Sequence, residues 1–270
     1  MPKEFLIYNF DMKKFAEQTI RAAGEILRKK FRNVKNIRIK SSAADIVTEA
    51  DFLSEELIIN AIKKKFPNHE VLSEETLQRV NYKADYLWVI DPLDGTRNFA
   101  HGIPFFSITM SLKRKGRTVL GLVYDPWHDE LFSAEKGKGA FLNNQRVFVK
   151  KTDKVDRAMI SFDFTRRDKK VIKNLVQTYA NLLKKQCWIS GFKSAALNLT
   201  YLAAGRFDAS VLYNLALWDI DAGALIAREA GAKVEVVEAK TNDPYYKYRV
   251  LTANPVLFNK LKDKYIKLKF

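Results

Sequence analysis

Two carboxylates stand close together in the stretch Asp91-Pro92-Leu93-Asp94-Gly95-Thr96. Held that near each other, two anions repel and tend to keep a proton unless a cation lies between them. A hard divalent ion solves this, and oxygen donors with no Cys or His beside them suit Mg²⁺ or Mn²⁺ better than zinc. Gly95 lets the backbone approach a ligand closely. Thr96 reads as the N-cap of a short helical turn whose N–H groups would face an anion. A pair of metal-binding acids beside an anion cradle points to phosphate chemistry. The same letters also spell a plain turn, because Asp, Pro and Gly all favour turns.

Three other stretches carry acids. Thr48-Glu49-Ala50-Asp51 opens an apolar-periodic helix to about residue 66. There Thr48 caps, and first-turn acids suit the helix dipole. Lys40 and Asp45, just upstream, have no comparable structural reason. Glu74-Glu75 ends a short strand, a place where glutamate is usually exposed. Asp219, in Leu217-Trp218-Asp219-Ile220-Asp221-Ala222-Gly223, begins a helix and reads as a cap or first-turn acid. His69, His101 and His128 lie at no metal-ligand spacing, so no zinc site is expected. The single Cys187 excludes an internal disulfide and a cysteine metal cluster, and buried packing is its expected role.

The elements that must position these groups follow from periodicity. The apolar run over 86–90 reads as a buried strand stopped by Asp91-Pro92, which delivers both carboxylates to its carboxyl end, where open α/β sheets place ligands. A helix is expected over 11–32, a short strand over 36–40 and an antiparallel meander over 104–134, with Asn143-Asn144 as a hairpin turn. The charged stretch 150–157 divides an N-terminal α+β half (1–150) from a C-terminal α/β half (151–270). In the second half, strands over 158–162, 186–190, 207–213, 233–237 and 249–252 alternate with helices over 168–185, 193–204, 218–230 and from Pro255. The expected class is α/β, with helices layered on sheets.

A chain of 270 residues with 47% hydrophobic and 29% charged residues can bury a sizeable core, as one large domain or two packed halves. No apolar run approaches the roughly 20 residues of a membrane span, and the first ten residues lack a signal-peptide layout, so a cytoplasmic location is expected. The net charge of +16 raises the question of nucleic acid. Doublets such as Lys29-Lys30, Lys150-Lys151 and Lys184-Lys185 fall near predicted helix ends and read as solvated faces. No zinc finger, RNP aromatic pattern or basic arm accompanies them, so nucleic acid is not expected as the main partner. The field would instead attract phosphorylated metabolites. Lysine richness with many Ile and Glu fits a thermophilic origin.

Taken in order, the segment 40–51, Glu74-Glu75, Asp91 to Thr96, and Trp218-Asp219 with Ala222-Gly223 resemble the inositol monophosphatase family of Mg²⁺-dependent, lithium-sensitive phosphatases. Gly137-Lys138-Gly139-Ala140-Phe141 with Asn144 is similar to that family too. The resemblance implies a layered αβαβα sugar-phosphatase fold and two or three Mg²⁺ per site. By it, Glu74, Asp91 and the Leu93 carbonyl hold the first ion, Asp91, Asp94 and Asp219 the second, and Glu74 helps a third through water. The N–H groups of Gly95 and Thr96 receive the phosphate. Thr96 and Glu74 help activate the attacking water, Asp51 is hydrogen-bonded to Thr96, and Lys40 lies near the site. On the substrate side the resemblance points to Asp94, Asp219, Lys193, Ser194 and Ala195.

The implied reaction is hydrolysis of a phosphate monoester of a small sugar or polyol by a homodimer. Inositol-1-phosphate leads, because Phe99-Ala100-His101-Gly102-Ile103-Pro104 looks most like that branch. Fructose 1,6-bisphosphate, alone or as a second activity of the same enzyme, and 3′-phosphoadenosine 5′-phosphate are the alternatives. Two positions depart from the pattern. Lys193-Ser194-Ala195-Ala196 stands where the family usually shows Gly-Ser/Thr-Ala-Ala, and Lys193 is expected to attract a second anionic group. Leu212 aligns with an acid that contacts inositol hydroxyls in animal members, and it cannot accept those hydrogen bonds. From a different class, the chain could be a basic nucleic-acid-binding or regulatory protein on a phosphatase scaffold. The intact acid set argues against this, since clustered carboxylates repel phosphate without a metal.

Overall fold

The computed structural model describes residues 3–33, 37–42, 45–76, 80–165, 169–241 and 243–269, and of residues 3–10, 40–42, 45, 169 and 170 the backbone alone. Helix α1 (Lys3–Lys30) starts earlier than the periodicity predicts. Met12, Ala16, Ile20, Ala23 and Leu27 recur at helical spacing on its buried face. Strands β1 (Arg38–Ser42) and β2 (Asp45–Val47) pair antiparallel, and β2 was not foreseen. Helix α2 (Glu49–Lys65) begins as expected at Thr48, whose hydroxyl accepts from the Ala50 N–H while Asp51 reaches back to the Thr48 N–H.

Next come β3 (Glu70–Ser73), β4 (Tyr86–Asp94), the short α3 (Thr96–Ala100), β5 (Ser107–Arg114), β6 (Arg117–Asp125), β7 (Glu130–Glu135), β8 (Gly139–Leu142) and β9 (Gln145–Val147). These strands form one sheet in chain order, β3 parallel to β4 and the others antiparallel. The β8–β9 hairpin turns at Asn143 and Asn144, both at positive φ as a two-residue turn of this kind requires. The remaining elements are β10 (Met159–Phe164), α4 (Lys169–Leu183), β11 (Trp188–Ser190), α5 (Ala195–Ala203), β12 (Ala209–Leu215), α6 (Leu217–Glu229), β13 (Lys233–Glu238), β14 (Tyr248–Ala253) and α7 (Pro255–Leu261). Their sheet runs β11-β10-β12-β14-β13, with β10, β11 and β12 parallel.

Five layers result. On the outside of the first sheet, Leu27, Ile58 and Ile62 from α1 and α2 pack against Trp88, Ile90 and Met110. On its other face, Ala196, Ala222 and Ile226 from α5 and α6 meet Val123, Phe132 and Ala134. The opposite side of those two helices, with Leu199 and Ile220, packs on Leu212, Leu215 and Val250 of the second sheet. The outermost layer sets Val171, Leu175, Leu257 and Phe258 of α4 and α7 against Ile160, Val211 and Leu251. This is the expected αβαβα stack. The middle layer brings residues from late in the chain to the edge where β4 ends.

Candidate active site

Strand β4 does not stop cleanly. Asp91 pairs with Thr109 and Asp94 with Ser107, so the register shifts between them and the ladder is broken at Pro92-Leu93. A bulge of this kind accommodates proline and re-aims side chains. The Ser54 hydroxyl donates to the Pro92 carbonyl at 2.9 Å, which fixes the irregular turn from α2. Thr109 accepts from the Asp91 N–H at 3.2 Å and donates to the Trp218 carbonyl at 3.0 Å. One hydroxyl thereby ties the end of β4 to the start of α6.

Three acids meet there. Glu74 follows β3, the parallel neighbour of β4, and the Tyr246 hydroxyl donates to it at 3.3 Å. Asp219 lies in the first turn of α6 and accepts from the Ala216 N–H at 2.8 Å. Glu74, Asp91 and Asp219 each bring an oxygen to within 4.8 Å of the others, which the described histidines and Cys187 do not join. Burial above all, then the charges of Glu74, Asp94 and Asp219, push the Asp91 carboxyl well above its ordinary range, against a lowering hydrogen bond from the Leu93 N–H. A buried, mutually repelling set of oxygen donors is the environment that a hard divalent cation relieves, so the residues present fit Mg²⁺.

Asp94 stands beside this group, close enough for its charge to act on Asp91, and is held by the start of α5. Ser194 Oγ donates to its carboxylate at 2.5 Å, the Ala196 and Ala195 N–H groups at 3.0 and 3.2 Å, and Ser107 Oγ at 3.3 Å. Burial raises its pKa to about 6, and these hydrogen bonds oppose the rise. Of the expected substrate-side residues, Ser194 and Ala195 thus grip Asp94 itself.

Thr96 corrects one expectation. Gly95, at φ 89°, takes the cap position that Thr96 was expected to fill, and Thr96 is the first helical residue. A left-handed backbone suits glycine. The Thr96 hydroxyl lies 2.9 Å from the Leu93 carbonyl and 3.2 Å from Asp51 Oδ1. The other Asp51 oxygen accepts from the Thr48 N–H and hydroxyl at 2.8 and 2.6 Å. Capping and site are therefore not rival explanations for Asp51: one oxygen serves each.

Leu212 is fully buried where β12 packs on the middle helices, in a cluster with Leu199, Ile220 and Val250. Lys193 has its ammonium 3.0 Å from Asp163 Oδ1 and over the Phe164 ring at 4.1 Å. Lys40 lies on β1, and its side chain, like that of Asp45, falls outside what the structure describes.

The family model for the inositol monophosphatase family matches residues 10–268. The chain belongs to the inositol monophosphatase family. Among its relatives is the Nus factor SuhB of Pseudomonas aeruginosa, 38% identical over 231 residues, covering 83% of this chain and 84% of that one. Another is an inositol-1-monophosphatase of Mesorhizobium japonicum, 35% identical over 218 residues, covering 80% and 82%. The extragenic suppressor protein suhB of Bartonella henselae superposes with a TM-score of 0.84 at 33% identity, over 93% of this chain and 96% of that one. The Thermotoga maritima IMPase gives 0.81 at 32% identity, over 93% and 95%. Among the described residues no helix is long and apolar enough to cross a membrane.

The family resemblance left several supporting residues unnamed. Glu55 is buried and accepts from the Glu75 and Thr76 N–H groups at 3.1 and 3.0 Å, which holds the turn after Glu74. Asn98 donates at 2.7 Å to the carbonyls of both Phe105 and Phe192. A signal for Ser54 and Glu55 was present: with Asp51 they occupy the same helical stripe as Ile58 and Ile62, where a core-facing helix would otherwise be apolar.

Proposed function

We propose that this chain is a Mg²⁺-dependent phosphoric monoester hydrolase whose leading substrate is inositol-1-phosphate. The observation that carries the reading is the convergence of Glu74, Asp91 and Asp219, from three separate parts of the chain, beside the gripped carboxylate of Asp94. Glu74, Asp91, the Leu93 carbonyl, Asp94 and Asp219 would hold the ions. Bound Mg²⁺ supplies neutralisation of this acid cluster and of the phosphate charge, and acidifies water enough for it to attack phosphorus. The chain's own residues do the rest. The N–H groups of Gly95 and Thr96 would receive the phosphate oxygens. With the Thr96 hydroxyl donating to the Leu93 carbonyl or to Asp51, the Thr96 oxygen can accept a hydrogen bond from the attacking water and hold it in line, with Glu74 on its other side. Phosphoryl transfer asks mainly for such positioning and charge stabilisation.

The name of the Mesorhizobium relative and that of the Thermotoga structure support inositol phosphate as substrate. The reading takes the enzyme to be a cytoplasmic homodimer, with halves 1–150 and 151–270 meeting at the site. Phosphate release should be measured with Mg²⁺ for inositol-1-phosphate, fructose 1,6-bisphosphate and 3′-phosphoadenosine 5′-phosphate. Fastest turnover of the first is expected, with loss to background in EDTA and in Asp219→Asn. No Mg²⁺-dependent release from any of the three defeats the reading.

A second reading rests on the relative named Nus factor together with the net charge of +16. It makes the chain a binding protein for a polyanion or a transcription complex. Salt-sensitive RNA binding without phosphate release would favour it.

A further inference from the structure

Lys193 occupies the left-handed region at φ 58°, where a side chain is strained and glycine is at ease. The strained residue sits directly before the α5 terminus that grips Asp94. Something must hold it, and two groups do. From the first sheet's side, Asn98 donates to the Phe192 carbonyl at 2.7 Å. From β10, Asp163, nearly fully buried, accepts at one oxygen from the Phe192 N–H at 3.0 Å, the Lys193 N–H at 2.9 Å and the Asn198 side-chain amide at 2.6 Å. Its other oxygen meets the Lys193 ammonium as an ion pair that is not an aligned hydrogen bond.

We infer that Asp163 is a positioning residue: it clamps the Phe192-Lys193 turn, and through that turn sets Ser194, Ala195 and Ala196 against Asp94. The three N–H donors matter more than the ion pair, because the Lys193 side chain is 47% exposed and a solvent-screened pair holds little. A buried carboxylate accepting several donors fixes a backbone much more firmly. Lys193 is by this account the member of the turn that makes the clamp necessary, and not a free cation awaiting a second phosphate. The inference rests on the proposed reading, in which Asp94 helps to hold Mg²⁺.

The test compares wild type with Asp163→Ala, Asp163→Asn and the double variant Asp163→Ala/Lys193→Gly. Calorimetric titration with Mg²⁺ in the absence of substrate is the first readout. The second is kcat and KM for inositol-1-phosphate, with thermal melting alongside. Asp163→Ala should weaken Mg²⁺ binding about tenfold or more, the scale seen when a group that orients a metal ligand is removed. Asp163→Asn retains an acceptor oxygen for the three donors and should recover most of that loss. Lys193→Gly should do likewise in the Ala background, by tolerating the turn without its clamp. Wild-type Mg²⁺ affinity in Asp163→Ala overturns the inference, as does a double variant that recovers nothing. If Asp163→Ala does not fold, Asp163→Asn decides alone, since a tenfold loss there assigns the effect to charge and not to the clamped amides. A wild type that binds Mg²⁺ yet releases no phosphate sinks the proposed function, while the titration still judges Asp163.

Discussion

Asp91 is almost wholly removed from water with Glu74, Asp94 and Asp219 around it, and the metal-free chain bears that repulsion alone. Because its folded-state pKa is raised above the unfolded value, the penalty is absent below the ordinary carboxyl range and grows as pH rises through the folded pKa. Asp91→Asn should therefore raise the thermal midpoint in EDTA at pH 7.5 by at least about 2 °C, the shift expected for about 1 kcal/mol in a chain of this size. At pH 4 the gain should shrink. Added Mg²⁺, which should stabilise the wild type, should leave the variant nearly unmoved. A variant less stable than wild type in EDTA would show that Asp91 is not under electrostatic strain. At this scale the sequence was informative because several carboxylates serve two ends. Asp51 and Asp219 were legible as helix-start acids, and both are. Their second use was legible only through the resemblance.

Among the elements, the bulged end of β4 and the start of α6 decide the geometry. Helix α6 crosses the first sheet at Gly121, where an added Cβ would lie 2.8 Å from the Ala222 carbonyl. That backbone atom cannot rotate away, so the helix must shift. Gly121→Ala should destabilise by about 1–3 kcal/mol, the usual cost of overpacking, read as a lower urea midpoint at unchanged slope. It should also reduce Mg²⁺-dependent phosphate release, because Asp219 rides on the same helix. Wild-type stability in this variant would mean that the layers are looser than described. Strand and helix identities were readable from periodicity and caps, as at Thr48 and Asn143-Asn144. The β4 bulge was not, since Asp91-Pro92 announces only that regular pairing ends, and the offset that follows is set by the partner strand β5.

For the whole molecule, the net charge of +16 creates a field that draws anions toward the surface. The rate constant kcat/KM for inositol-1-phosphate should fall several-fold as NaCl rises from about 0.05 to about 0.5 M, while kcat changes little, because screening acts on encounter and not on the buried site. A kcat/KM indifferent to salt would show that the charge is spread too evenly to steer substrate. The layered α/β class and the order of the acid motifs were determined by the sequence alone, since hydrophobic period, caps and turn residues act within a few positions of themselves. Three matters were decided only by the tertiary structure: Asp94 turned into the α5 terminus, Leu212 was sealed in the core, and Lys193 was paired with Asp163. Each depends on which distant segment packs alongside, and a carboxylate or a lysine carries no local mark of the partner it will meet.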